Sequence, residues 1–234
     1  MFMKIFRAAL FALLFASSPV LAEPPYTLDD NIRYLSMGDS YAAGKGAIPV
    51  TQGFAYLLYQ EGVFGPITNM TFANAAVPGV TSGQVLSWQV PAAVNAFKPD
   101  VITLSVGGND LETILTEGAD PVAVLTQFAS NLQGILCGLR AGLPDVTIIV
   151  GNFPDLPELS AVIPSVRQGI LALNQIIANV APACDAKVAD VFSAFEGRTG
   201  LLLAERNGVS LSEPHPTNAG YRVMAKAYED AANQ

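Results

Sequence analysis

The sequence predicts a single α/β domain, a three-layer α/β/α sandwich built on a five-stranded parallel sheet. Three observations predict it. Five short apolar runs, rich in β-branched residues, alternate with stretches whose apolar residues fall at helical spacing. No internal repeat, low-complexity tract or long linker divides the 234 residues. Only 14% of them are charged, which leaves enough apolar side chains for one substantial core.

The elements follow in order. Ile32 to Met37 is the first strand, and an amphipathic stretch from about Gly53 to Glu61 is the first helix. Met70 to Ala73 is a short second strand. Ser82 can cap a helix running towards Phe97, with Pro91 kinking or shortening it. Val101 to Val106 is an apolar run rich in β-branched residues, as in a strand buried on both faces. Pro121 suits the first turn of a helix that keeps its apolar spacing from Val122 to Leu139. Val146 to Val150 is the next buried strand, Ser165 to Val180 a helix, and Lys187 to Phe192 the last strand. Thr217 caps a final helix reaching about Ala231. In a parallel sheet of this kind ligands bind beyond the carboxyl ends of the strands, so reactive residues should follow the strands directly.

The N-terminus has the features of a secretory signal peptide. Lys4 and Arg7 precede the apolar run Ala8 to Phe15, and Val20-Leu21-Ala22 ends in small residues. The expected organisation is therefore a leader over residues 1–22 and one catalytic domain over residues 23–234, exported to the periplasm or the medium. The run is short for a membrane span, no later segment reads as one, and no cysteine at the cleavage site offers a lipid anchor. The whole chain carries a formal charge of −8. Cleavage removes two positive side chains and no negative one, leaving about −10, an acidic balance that disfavours nucleic acid and anionic membranes. The two cysteines, Cys137 and Cys184, can pair in an oxidising compartment or remain buried thiols.

Polar and glycine residues do follow the strands. Gly38-Asp39-Ser40 comes after the first, Asn74 and Gly79 after the second, Gly107-Gly108-Asn109-Asp110 after the third, and His215 precedes the last helix. A serine hydroxyl becomes a competent nucleophile when a base takes its proton, and imidazole suits that task near neutral pH. The chain has one histidine, so His215 is the candidate base and Ser40 the candidate nucleophile. Acyl transfer also builds an oxyanion, which the backbone N–H groups of Ser40 and Gly79 and the Asn109 amide can stabilise. Activity through a neutral imidazole should rise with pH around its reference value of roughly 6.5. Asp39, Asp110, Asp155 and Asp190 read as loop or cap residues, and one histidine without clustered cysteines gives poor support to a metal or other cofactor. Lys45 is a weaker alternative base, in a Gly44-Lys45-Gly46 loop expected to be mobile and exposed.

Together these residues resemble the four blocks of the GDSL or SGNH hydrolases: Gly38-Asp39-Ser40, Gly79, Gly107-Gly108-Asn109-Asp110 and His215-Pro216-Thr217, in the family's order. The resemblance implies a flavodoxin-like sheet, Ser40 as nucleophile, His215 as base, oxyanion donors at Ser40, Gly79 and Asn109, and no metal. It departs at one place. The family sets an aspartate three residues before the histidine, where this chain has Ser212, followed by Glu213. A backbone carbonyl, Glu213 or a distant carboxylate is left to orient the imidazole. The expected substrate is a small-molecule or lipid ester, and Ile48, Val50, Phe54, Leu111 and Ile114 are candidates for an acyl pocket or, equally, for the core. A carbohydrate O-deacetylase, or a non-catalytic glycan- or ligand-binding domain on the same fold, are the alternatives.

Overall fold

Residues 31–203 and 214–234 are described in the computed structural model, so the expected leader and positions 212 and 213 lie outside the described residues. Five strands form one parallel sheet: β1 (Ile32–Gly38), β2 (Met70–Asn74), β3 (Val101–Ser105), β4 (Thr147–Gly151) and β5 (Lys187–Ala189). Their spatial order is β2-β1-β3-β4-β5. Leu35 lies between Ala73 and Ile102, and Val150 between Leu104 and Val188. Every β3 residue is buried, as expected of a central strand covered by helices on both faces.

One face carries α3, a continuous helical stretch over Ser82–Gln84, Val85–Gln89, Val90–Ala92 and Ala93–Phe97, with α5 (Pro121–Gly142) and α7 (Pro164–Ala183). The other carries α2 (Phe54–Gln60), α8 (Val191–Phe195) and α9 (Asn218–Ala232). Short helices α1 (Ser40–Ala43), α4 (Gly108–Thr116) and α6 (Pro157–Val162) follow β1, β3 and β4. Large aromatics lock the layers. Tyr34 packs against Phe64 and Phe72 and exchanges a 2.9 Å hydrogen bond with Thr103. Phe54 stacks on Tyr228, whose hydroxyl donates to the Leu104 carbonyl at 2.7 Å. A Cys137–Cys184 disulfide joins α5 to the end of α7, resolving the choice between paired and free thiols.

Several elements depart from the sequence reading. The last strand stops at Ala189, because the Asp190 side chain accepts the Ser193 N–H and starts α8 where strand was expected to continue. Pro91 does not end its helix. Wide i→i+5 turns at Val85–Gln89 and Ala93–Phe97 flank it and carry the helix through to Phe97. Thr81, not Ser82, is the cap of α3, in a reciprocal box with Gln84. Helices α4 and α6 were not foreseen. Contrary to expectation, α5 is long and apolar enough by composition to cross a membrane. Here one face of it packs into the core, with Phe128, Leu132, Ile135, Leu136 and Leu139 fully buried.

Candidate active site

The sheet order reverses at β1, since β2 lies on one side of it and β3 on the other. The loops leaving β1 and β3 therefore diverge and open a crevice at the carboxyl edge, the general ligand site of such sheets. Ser40 follows β1 and Asn109 follows β3, so both stand at this crevice.

Ser40 is placed by a backbone turn that accepts one residue type. Gly38 has φ +122°, and a Cβ there would lie 1.9 Å from the Ser105 carbonyl oxygen. Gln89 then clamps Gly38 from α3: its side-chain oxygen accepts the Gly38 N–H at 2.7 Å and its amide donates to the Gly38 carbonyl at 2.9 Å. Asp39 caps α1 by accepting the Tyr41 N–H at 3.0 Å, which leaves Ser40 on the first turn facing the crevice. Burial, helped by the negative charge of Asp110, pushes the Asp39 carboxyl up to about 7 despite the Tyr41 hydrogen bond.

His215 comes from the far end of the chain. A short antiparallel bridge pairs Leu202 with Pro216, and the Leu203 N–H donates to the His215 carbonyl at 2.8 Å. Thr217 caps α9 through its hydroxyl, and the Tyr41 hydroxyl donates to the Pro214 carbonyl. These contacts bring the His215 Nε2 to 2.9 Å from the Ser40 Oγ, with both residues buried. At that distance the imidazole can take the hydroxyl proton directly.

Gly79 and Asn109 border the same cavity. Gly79 has φ +86°, and no atom lies within 4 Å of the place a Cβ would take, so its backbone is open to a ligand. The Asn109 amide donates one hydrogen to the Val80 carbonyl at 2.8 Å and keeps a second. The four residues selected from the sequence are thus gathered at one site. Asn74, by contrast, is structural: it donates to the Ala42 carbonyl and accepts the Ala76 N–H.

The cavity measures about 240 Å³. Leu111, Leu115, Phe153, Leu156, Leu159 and Ile170 give it an apolar wall drawn from α4, the loop after β4, α6 and α7. Of the five residues the sequence offered for an acyl pocket or for the core, Leu111 alone lines the cavity, which corrects the pocket reading of the others. Ile48 and Val50 are exposed, Phe54 is in the core against Tyr228, and Ile114 does not border the cavity. Phe153, unnoticed in the sequence, is clamped by Asn174 through its N–H and carbonyl at 2.7 and 2.8 Å and stacks on Tyr41. Lys45 is exposed at the rim, as expected, but its loop is tied down. Its N–H donates to the Ser40 carbonyl and its own carbonyl accepts the Tyr221 hydroxyl. Asp155 is more than a loop residue, being buried in a 2.5 Å ion pair with Arg167.

Known proteins can now be set beside this geometry. Among solved structures, the lipase Lip_vut3 from a goat rumen metagenome is 21% identical, with 86% of this chain and 97% of that one covered at TM-score 0.65. Phospholipase A1 from Streptomyces albidoflavus NA297 is 18% identical over 86% and 99%, at TM-score 0.64. An acetylxylan esterase from Geobacillus stearothermophilus is 18% identical over 87% and 94%, at TM-score 0.66. At these identities the likeness speaks for the fold. No curated protein matches significantly by sequence. The model of the GDSL-like lipase/acylhydrolase family matches residues 36–223, from inside β1 into α9, and the chain belongs to that family of carboxylic ester hydrolases.

Proposed function

We propose that the protein is an exported serine esterase or lipase that hydrolyses esters of apolar acyl groups through an acyl-enzyme at Ser40. The observation that carries this is the 2.9 Å contact between the Ser40 Oγ and the His215 Nε2. His215 accepts the Ser40 proton as the Oγ attacks the ester carbonyl, forming a tetrahedral intermediate. The N–H groups of Ser40 and Gly79 and the second hydrogen of the Asn109 amide donate to its oxyanion. The C–O bond to the alcohol then breaks, and His215 returns the proton to the departing oxygen. A water molecule, deprotonated by the same imidazole, attacks the acyl-enzyme and releases the carboxylic acid and Ser40.

The apolar wall favours an acyl chain over an acetylated sugar. An acetyl group would leave Leu156, Leu159 and Ile170 without a partner, whereas a longer chain would remove their surface from water at about 25 cal/mol per Å². The disulfide and the leader-like N-terminus support export.

The test is hydrolysis of p-nitrophenyl esters from acetyl to long acyl by the mature protein and its Ser40→Ala variant. Turnover should vanish in the variant, and kcat/KM should be higher for medium or long chains than for acetate. Activity surviving in Ser40→Ala would remove the serine mechanism. A preference for acetate would restore the deacetylase reading.

A further inference from the structure

Asp110 belongs to no step above, yet it is a buried carboxylate directly after Asn109. Burying a carboxylate is costly unless it is well bonded, so its partners are informative. One carboxylate oxygen accepts the Ser82 N–H at 2.9 Å, and the other accepts the Ser82 hydroxyl at 2.5 Å. The direction of the second bond is determined by chemistry. The Ser82 Oγ also receives the Asn131 amide at 2.9 Å, and an amide NH₂ can only donate, so the single hydroxyl hydrogen goes to Asp110. Gln127 in turn donates to the Asn131 side-chain oxygen at 2.9 Å and holds that amide in this orientation. The two Ser82 donors offset part of the cost of burial, which still holds the Asp110 carboxyl above the usual carboxylate range.

This network is not needed to begin α3, because Thr81 and Gln84 already form its capping box. Its geometric effect is elsewhere. Gly79 lies three residues before Ser82, the Val80 carbonyl accepts the Asn109 amide, and Asn109 adjoins Asp110. The segment from Gly79 to Ser82 is therefore bonded to the start of α4 at two points. Gly79 itself has open space on the cavity side, so its position has to be held from behind.

We infer that Asp110, by binding the backbone and hydroxyl of Ser82, is the positioning residue that sets the Gly79 N–H and the Asn109 amide at the spacing an oxyanion needs. The inference rests on the serine-hydrolase reading given above.

The experiment compares wild type, Asp110→Asn, Ser82→Ala and Ser40→Ala in the full chain on the preferred p-nitrophenyl ester. Each variant is also titrated with an alkyl boronic acid, which forms a tetrahedral adduct on a reactive serine. In Asp110→Asn, kcat should fall about 10- to 100-fold, up to the cost of an ångström of misplacement and less than the roughly 100- to 1000-fold loss of a whole donor, with KM within about twofold. Boronate affinity should weaken in proportion to kcat. In an Asn109→Ala background the same substitution should cost less, because one of the donors it aligns is gone. Ser82→Ala, which keeps the backbone bond, should show a smaller loss of the same kind and decides the matter if Asp110→Asn does not fold. Unchanged kcat in either folded variant would overturn the inference, as would a loss carried by KM with boronate affinity intact. Active Ser40→Ala would instead sink the underlying mechanism, so the two failures are distinguishable.

Discussion

Asp39 sits beside the reactive pair, buried, and its carboxyl is held protonated to higher pH than usual, chiefly by that burial. Between its ordinary value near 3.8 and its folded value of about 7, the folded state binds a proton that the unfolded chain has released. Stability must therefore fall as pH rises through that window and level off above it. Asp39→Asn keeps an acceptor for the Tyr41 N–H and removes the titration. The melting temperature of the variant minus that of wild type should climb between pH 4 and pH 7, on the order of 2–4 °C for each kcal/mol involved. A difference flat in pH would mean that Asp39 is ionised as readily in the fold as outside it. The candidate site residues were legible at this scale: one histidine in the chain left one candidate imidazole, and Ser40, Gly79 and Asn109 follow apolar runs. Asp110 was not, because a carboxylate in a Gly-Gly-Asn-Asp turn reads as a cap until Ser82, 28 positions earlier, is placed against it.

Strands β1 to β4 were legible to within one or two residues, because runs such as Val101 to Ser105 are mostly apolar and buried at every position, with no exposed face to interrupt them. The misread elements are those whose signal is a single side-chain contact. Strand β5 ends on the Asp190 cap, and α4 begins at Gly108, a poor helix former at which a Cβ would lie 2.7 Å from the Phe153 ring. The disulfide ties α5 to the end of α7, closing a loop with a sequence separation of 47. Replacing both cysteines by serine should lower stability by roughly 4 kcal/mol. That corresponds to a melting temperature lower by ~8–16 °C in thermal unfolding. Reducing agent should lower wild type by a similar amount and leave the variant unmoved. A double variant as stable as wild type would show that the helices are held by packing alone.

For the whole molecule, the position of the site follows from strand order. With β2 and β3 on opposite sides of β1, the loops after β1 and β3 part at the carboxyl edge, and the segment returning into α9 brings His215 across the gap. The cavity wall is likewise a property of the assembled molecule, taken from α4, the loop after β4, α6 and α7. Export also belongs to this scale. Expression of the full chain in a secreting host should yield extracytoplasmic protein with a mass that starts at Glu23, and an intact Met1 on exported protein would argue against cleavage.

By itself the sequence determined the sheet class, most of the strands, the family's four blocks and the choice of Ser40 and His215 as the candidate pair. Apolar runs must be buried whatever surrounds them, and a chain with one histidine offers one imidazole wherever the fold puts it. Tertiary structure alone decided that Ser40 and His215, 175 positions apart, meet at 2.9 Å, and that Asp110 holds Ser82. It alone decided that Leu156 and Leu159 line the cavity while Ile48 faces water. Local pattern records whether a side chain prefers burial. Which distant segment buries it depends on how the layers pack, and no window along the chain contains both partners.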